Sequence, residues 1–230
     1  MNFKKHLELK GKHALFSPSS NAWLRYDEQK IEEKIFSQYR APLGTEIHEF
    51  AEAKIEMRQK IGSTRELRKD ISYEIYKKYK DKSIAENSET YSEYCKKLLK
   101  YFYYLSDDIF ETVKQYINDA IGFKMTPEQP LYYSDYIFGT TDAISFRDNY
   151  LRIHDLKTGS LPAHMDQLYI YAALFCLEYK IRPGDISMEL RLYQSTEILV
   201  ANPTAEDISP VIDQIISTGK VASRIESQEE

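Results

Sequence analysis

The chain is poor in cysteine: Cys95 and Cys176 are the only two, far apart and both in helix-like contexts. That is too few for a zinc site or a four-thiolate iron–sulfur cluster, and it offers no disulfide framework. Long apolar runs are missing as well. No stretch approaches the ~20 residues needed to span a bilayer, and the opening MNFKKHLELKGKH is charged where a signal peptide would be apolar. These absences lead us to expect a cytoplasmic protein with no membrane partner. There is no Walker motif, so the chain carries no helicase engine of its own, and no fixed-period repeat points to a solenoid.

What is present suits one globular α/β domain. The chain has 230 residues, of which 42% are hydrophobic and 13% aromatic, enough for a substantial core. Its 19 tyrosines suit half-buried surfaces, grooves or base stacking, and also suit plain substitution for phenylalanine. A net charge of −5 argues against a protein that coats nucleic acid. The charge is unevenly spread, however: residues 54–100 hold 13 Lys and Arg against 8 Asp and Glu, while residues 185–230 hold 3 against 9. The basic stretch fits either a face for a polyanion or an ordinary solvated helical surface.

Ser17-Pro18-Ser19-Ser20-Asn21, followed by Ala22-Trp23-Leu24, reads as a turn and helix start. Ala41-Pro42-Leu43-Gly44-Thr45 reads as a second break, with Thr45 capping a helix that carries Ile47, Phe50, Ala51 and Ile55 on one face. Residues 64–121 read as long, charged helices. The texture changes near Pro127, and Tyr136–Phe146 and Tyr150–Lys157 read as strands joined through Asp148-Asn149. Gly159 and Pro162 break the chain before a helix over Met165–Tyr179. A strand over Ile186–Tyr193 and a helix over about residues 205–218 complete a β-β-α-β core behind a helix-rich first half.

The hairpin carries the chemical argument. A two-residue turn at Asp148-Asn149 pairs Arg147 with Tyr150, and counting outward sets Asp142 opposite Asp155. Opposed carboxylates repel across a ladder, and a divalent cation between them removes the repulsion by taking their oxygens as ligands. Lys157, two residues on, projects from the same face as Asp155 and is able to reach a water or phosphate beside the metal. The same residues also fit a plainer arrangement, in which Asp142 ends a strand and Asp155 pairs with Lys157. His48 and Glu52 stand at i and i+4 on one helix face, as a nitrogen ligand with its neighbour or as a surface pair. Gln167 and Tyr171 stand likewise at i and i+4, able to hydrogen-bond a metal-bound water or a phosphate, or to be simple surface and core.

In order, Gly44-Thr45-Glu46-Ile47-His48, Gly139-Thr140-Thr141-Asp142, Ile153-His154-Asp155-Leu156-Lys157-Thr158-Gly159 and Gln167-x-x-x-Tyr171 resemble the RecB-type branch of the PD-(D/E)xK nuclease superfamily. The Ser17–Leu24 segment resembles the branch's opening helix start, and the match runs from about residue 17 to residue 193. The resemblance implies a restriction-endonuclease-like core, a mixed β-sheet flanked by helices. It also implies one nuclease domain over 1–230, with 56–125 a helical insertion or cap and 126–218 the catalytic core. It implies Mg²⁺ or Mn²⁺ held by His48, Asp142, Asp155 and the main-chain carbonyl of Leu156. Lys157 would then act on the attacking water, with Gln167 and Tyr171 in support; the motif does not fix a role for Glu52. The four cysteines of the CRISPR-adaptation nucleases are absent, so no iron–sulfur cluster is expected. What remains is similar to phage-type exonucleases, with DNA as partner and a single-strand annealing or other DNA-binding protein as an accessory. A non-catalytic nucleic-acid-binding module on the same fold, and a structural protein using both aspartates in turns, are the competing expectations.

Overall fold

A computed structural model describes residues 5–7, 13–86, 89–159 and 164–227. The break expected at Pro162 lies outside them. Helices α1 (Glu28–Glu56), α2 (Thr64–Ala85), α3 (Glu89–Tyr103) and α4 (Asp107–Gly122) precede strands β1 (Thr126–Ser134), β2 (Ile137–Arg147) and β3 (Tyr150–Leu156). Helix α5 (Asp166–Glu178), strands β4 (Ser187–Gln194) and β5 (Glu197–Ala201), and helix α6 (Ala205–Glu226) follow. The sheet runs β1-β2-β3-β4-β5, with β3 and β4 parallel and the other pairs antiparallel. A parallel pair needs a crossover, and α5 supplies it. This is an α/β fold with a mixed sheet and a helix-rich first half, consistent with a restriction-endonuclease-like core.

The two sheet faces bury different helices. Leu43, Ile47 and Ile55 of α1, Leu67 and Ile71 of α2, and Phe102 and Phe110 meet Ala143, Leu156 and Tyr193 of the sheet in one cluster. On the other face Leu131, Ile144, Leu151, Ile153 and Leu190 pack with α5 and with Ile208 and Ile215 of α6. Lying between sheet and α6, α5 buries every residue from Tyr171 to Cys176, as a helix enclosed on all sides must. Helices α2 to α4 therefore pack into the same core cluster as α1 and the sheet. Ring stacking holds that cluster: Tyr39 lies 4.4 Å from Tyr101, and Phe36 lies 5.5 Å from Tyr101, centroid to centroid. Several tyrosines thus serve helix packing.

Two expectations are corrected. Ala41–Thr45 is no break: α1 runs through Pro42, and the Thr45 hydroxyl donates to the Ala41 carbonyl (3.2 Å) instead of capping. An interior proline costs about 3 kcal/mol, and burial of Leu43, Ile47, Ala51 and Ile55 directly beyond it offsets that cost. The cap of α1 is Asp27, which accepts from the Lys30 N–H (2.8 Å), while Ala22–Arg25 forms only a 3-10 turn. Helix α6 also runs on to Glu226, beyond the expected end at 218. The Asp148-Asn149 turn is as read. Both residues have positive φ, 51° and 56°, the conformation of a two-residue hairpin, and Arg147 pairs with Tyr150.

Candidate active site

The hairpin register continues to Ala143 opposite His154, one step short of Asp142 and Asp155. At that step a side chain takes over from the ladder: the Leu156 N–H donates to Asp142 Oδ2 at 2.7 Å. Alternation places Asp142 and Asp155 on the face of Ile144 and Ile153, toward α5. Asp155 is 2% exposed. Lys157 Nζ lies 3.1 Å from Asp155 Oδ1 and 2.9 Å from Oδ2. Hydrogen-bond geometry is met only at Oδ1, so Oδ2 is buried without a hydrogen-bond partner among the described residues.

A chain of contacts runs from Asp155 to α5. Lys157 Nζ donates to Gln167 Oε1 (2.8 Å), and Gln167 Nε2 donates to the Tyr171 hydroxyl (3.0 Å). The ring of Tyr171 lies over Gly139, where an added Cβ would stand 2.9 Å from Tyr171 Cε1. The glycine ahead of Asp142 is thus the floor for the Tyr171 ring, and the Gln-x-x-x-Tyr helix turn fixes the lysine.

From the opposite layer α1 brings His48, whose Nδ1 lies 3.6 Å from Asp142 Oδ2. Burial lowers the His48 pKa, while the nearby Asp155 and Glu128 charges and the Leu156 main chain act against it. The Leu156 main chain and Asp142 are thus both close to His48. Gly44 permits the close approach, since a Cβ there would meet Thr158 Oγ1 at 3.0 Å. Beside His48 a cavity of about 370 Å³ opens between Arg40, Gly44 and Thr45 of α1 and Thr158-Gly159. Among the described residues Glu52, one turn beyond His48, has no hydrogen bond or ion pair to it; burial, then the Glu56 and Glu49 charges, raise its pKa.

Sequence reasoning missed Glu128. Its carboxylate joins His48 and Asp142 in a group whose donor atoms lie within 4.8 Å of one another. It was hidden because β1 begins Thr126-Pro127-Glu128-Gln129-Pro130, and two prolines disguise a strand. The available signal was a lone Glu at the point where helical texture ends.

Electrostatics set this cluster apart. Burial, then the nearby Asp155 charge, pushes the Asp142 carboxyl up to about 7, against the opposing Leu156 N–H and Lys157. Burial lowers His48, so its imidazole is neutral and able to act as a ligand. Burial and the charges of Asp142 and Glu52 raise Glu128. His154, beside Asp155 in sequence, faces the other layer, within 3.3 Å of the Tyr193 hydroxyl; burial lowers it to about 3. It is core. One imidazole nitrogen, several carboxylates and one carboxylate oxygen without a hydrogen bond form a donor set that fits a divalent cation such as Mg²⁺ or Mn²⁺.

These features define an α/β protein with a carboxylate, histidine and lysine cluster where three strands and α1 converge. The chain belongs to the DUF2800 family, described as a protein of unknown function, which matches residues 13–180. That span includes His48, Glu128, Asp142, Asp155, Lys157, Gln167 and Tyr171, and leaves out β4, β5 and α6. No curated protein and no solved structure matches the chain.

Proposed function

We propose that this chain is a divalent-metal-dependent deoxyribonuclease of the RecB-type branch, with Mg²⁺ or Mn²⁺ as its cation and DNA as its substrate. The supporting observation is Asp155: buried, one oxygen without a hydrogen bond, and tied through Lys157 to Gln167 and Tyr171. A cation bound by Asp155, Asp142, His48 and the Leu156 carbonyl would lower the pKa of water and neutralise charge on a phosphate. Lys157, held between Asp155 and Gln167, presents its ammonium where charge builds on the phosphate and orients the attacking water. Tyr171 holds Gln167, and Gly139 gives its ring room, so the lysine is set before substrate arrives. Arg40 and Thr158 line the cavity beside His48, a place for the nucleotide next to the scissile bond.

Likeness to phage-type exonucleases extends the proposal to action at DNA ends, in recombination, repair or processing, alongside a single-strand annealing or other DNA-binding protein. An inactive DNA-binding module on this fold is the alternative. The intact Asp142, Asp155, Lys157 and Gln167 set favours catalysis, since a site kept only for binding has no need of the lysine–glutamine–tyrosine chain. Incubation of end-labelled linear and circular DNA with Mn²⁺ or with EDTA tests both readings. Metal-dependent cleavage supports the enzyme; binding without cleavage supports the module.

A further inference from the structure

We infer that Glu128 is a ligand of the cation, so that three strands and one helix each give the site a donor. The inference rests on the metal-dependent reading above and adds to it a residue that none of the sequence motifs contains.

Register places Glu128. Pro127 pairs with Ala143 and Gln129 with Thr141, so Glu128 stands opposite Asp142, yet that step is absent from the ladder. The backbone at Glu128 turns left-handed, with φ of 46°. A non-glycine residue in that region is uncommon, and a carboxylate opposite a carboxylate is unfavourable. Both costs fall on one residue in the middle of a paired strand. The turn brings its carboxylate into the group with His48 and Asp142. Among the described residues no lysine or arginine pairs with Glu128 within 4.0 Å, so protein cations leave its charge uncompensated. Independently, the buried Asp155 Oδ2 has no hydrogen bond and its charge couples to both His48 and Asp142. A cation offsets the repulsion between Glu128 and Asp142, and the buried Asp155 Oδ2, which has no hydrogen bond and lies 2.9 Å from Lys157 Nζ, offers it a further donor. Carboxylates with one imidazole suit Mn²⁺ over softer-ligand metals.

Calorimetric titration with Mn²⁺ alone, in the absence of DNA, tests this on the wild type, Glu128→Gln, Glu128→Asp and Asp155→Asn, with metal-free thermal melts of each. The expected result is Mn²⁺ binding by the wild type, weakened about tenfold or more in Glu128→Gln and less in Glu128→Asp. The metal-free melting temperature of Glu128→Gln should be equal to or above that of the wild type, because repulsion is relieved. Wild-type affinity in Glu128→Gln with loss of binding in Asp155→Asn overturns the role of Glu128 and leaves the site standing. A lowered metal-free melting temperature with unchanged Mn²⁺ affinity marks a structural residue and also overturns it. No Mn²⁺ binding by the wild type overturns this inference and the proposed function together.

Discussion

Gly139 and Tyr171 are in such close contact that a Cβ on Gly139 would lie 2.9 Å from Tyr171 Cε1. Strand β2 and helix α5, far apart in sequence, are thereby keyed to each other at the step leading to Asp142. Gly139→Ala must push the ring aside, and through Gln167 disturb Lys157. The expected cost is about 1–3 kcal/mol of stability, with a larger loss of nuclease activity than a distant core variant of equal cost. Thermal melts and cleavage rates of Gly139→Ala beside Ile215→Val make that comparison.

The raised pKa of Asp142 has a definite pH signature. The folded chain keeps this proton up to about 7, whereas an unfolded aspartate releases it near 4. The stabilisation is therefore full below about pH 4 and is lost as pH rises to about 7. Glu128, also shifted up, acts in the same direction. The lowered His154 and His48 act in the opposite sense over the same window. The Asp142 contribution is therefore read as the difference in melting temperature between the wild type and Asp142→Asn, measured in EDTA from pH 4 to pH 8. That difference should shift against the wild type as pH rises to about 7. Mn²⁺ should raise the melting temperature more at pH 8 than at pH 5, because binding must displace the proton.

The basic stretch separates into two kinds of residue. Arg68 donates to Asp107 Oδ1 (2.7 Å) and to the Leu105 carbonyl (3.2 Å), and its guanidinium lies 4.0 Å from the Phe110 ring centroid. It clamps α2 to α4, so Arg68→Ala should cost about 1–2 kcal/mol. Arg65 and Lys69 are exposed. Charge reversal at both should leave the melting temperature nearly unchanged while weakening DNA binding and flattening its salt dependence. An unchanged salt slope would make this face an ordinary solvated one.

Much of the arrangement was legible in the sequence, for identifiable reasons. The Asp148-Asn149 turn uses residues that tolerate positive φ, and a two-residue turn fixes register, so the approach of Asp142 and Asp155 followed from counting. Helix periodicity likewise set His48, Gln167 and Tyr171 on their faces. Other elements were hidden by local chemistry that tertiary packing overrode. Pro42 and Gly44 read as a break, yet the buried residues beyond them carry α1 through. Strand β5 follows a Ser195-Thr196 turn with φ of 51° and 66°, an unusual pair for a tight hairpin, held where the Thr196 N–H donates to Thr112 Oγ1 (2.8 Å). Glu128 was out of reach because its place depends on β1–β2 pairing that the flanking prolines conceal.

The most direct test of the central claim is the Mn²⁺-dependent digestion of end-labelled linear DNA by the wild type, Asp155→Ala and Lys157→Ala, each checked for folding by circular dichroism. The account predicts cleavage by the wild type that EDTA abolishes, and a loss of at least about a hundredfold in both folded variants. Wild-type cleavage by both variants, or none by the wild type with Mn²⁺ or Mg²⁺, would contradict it.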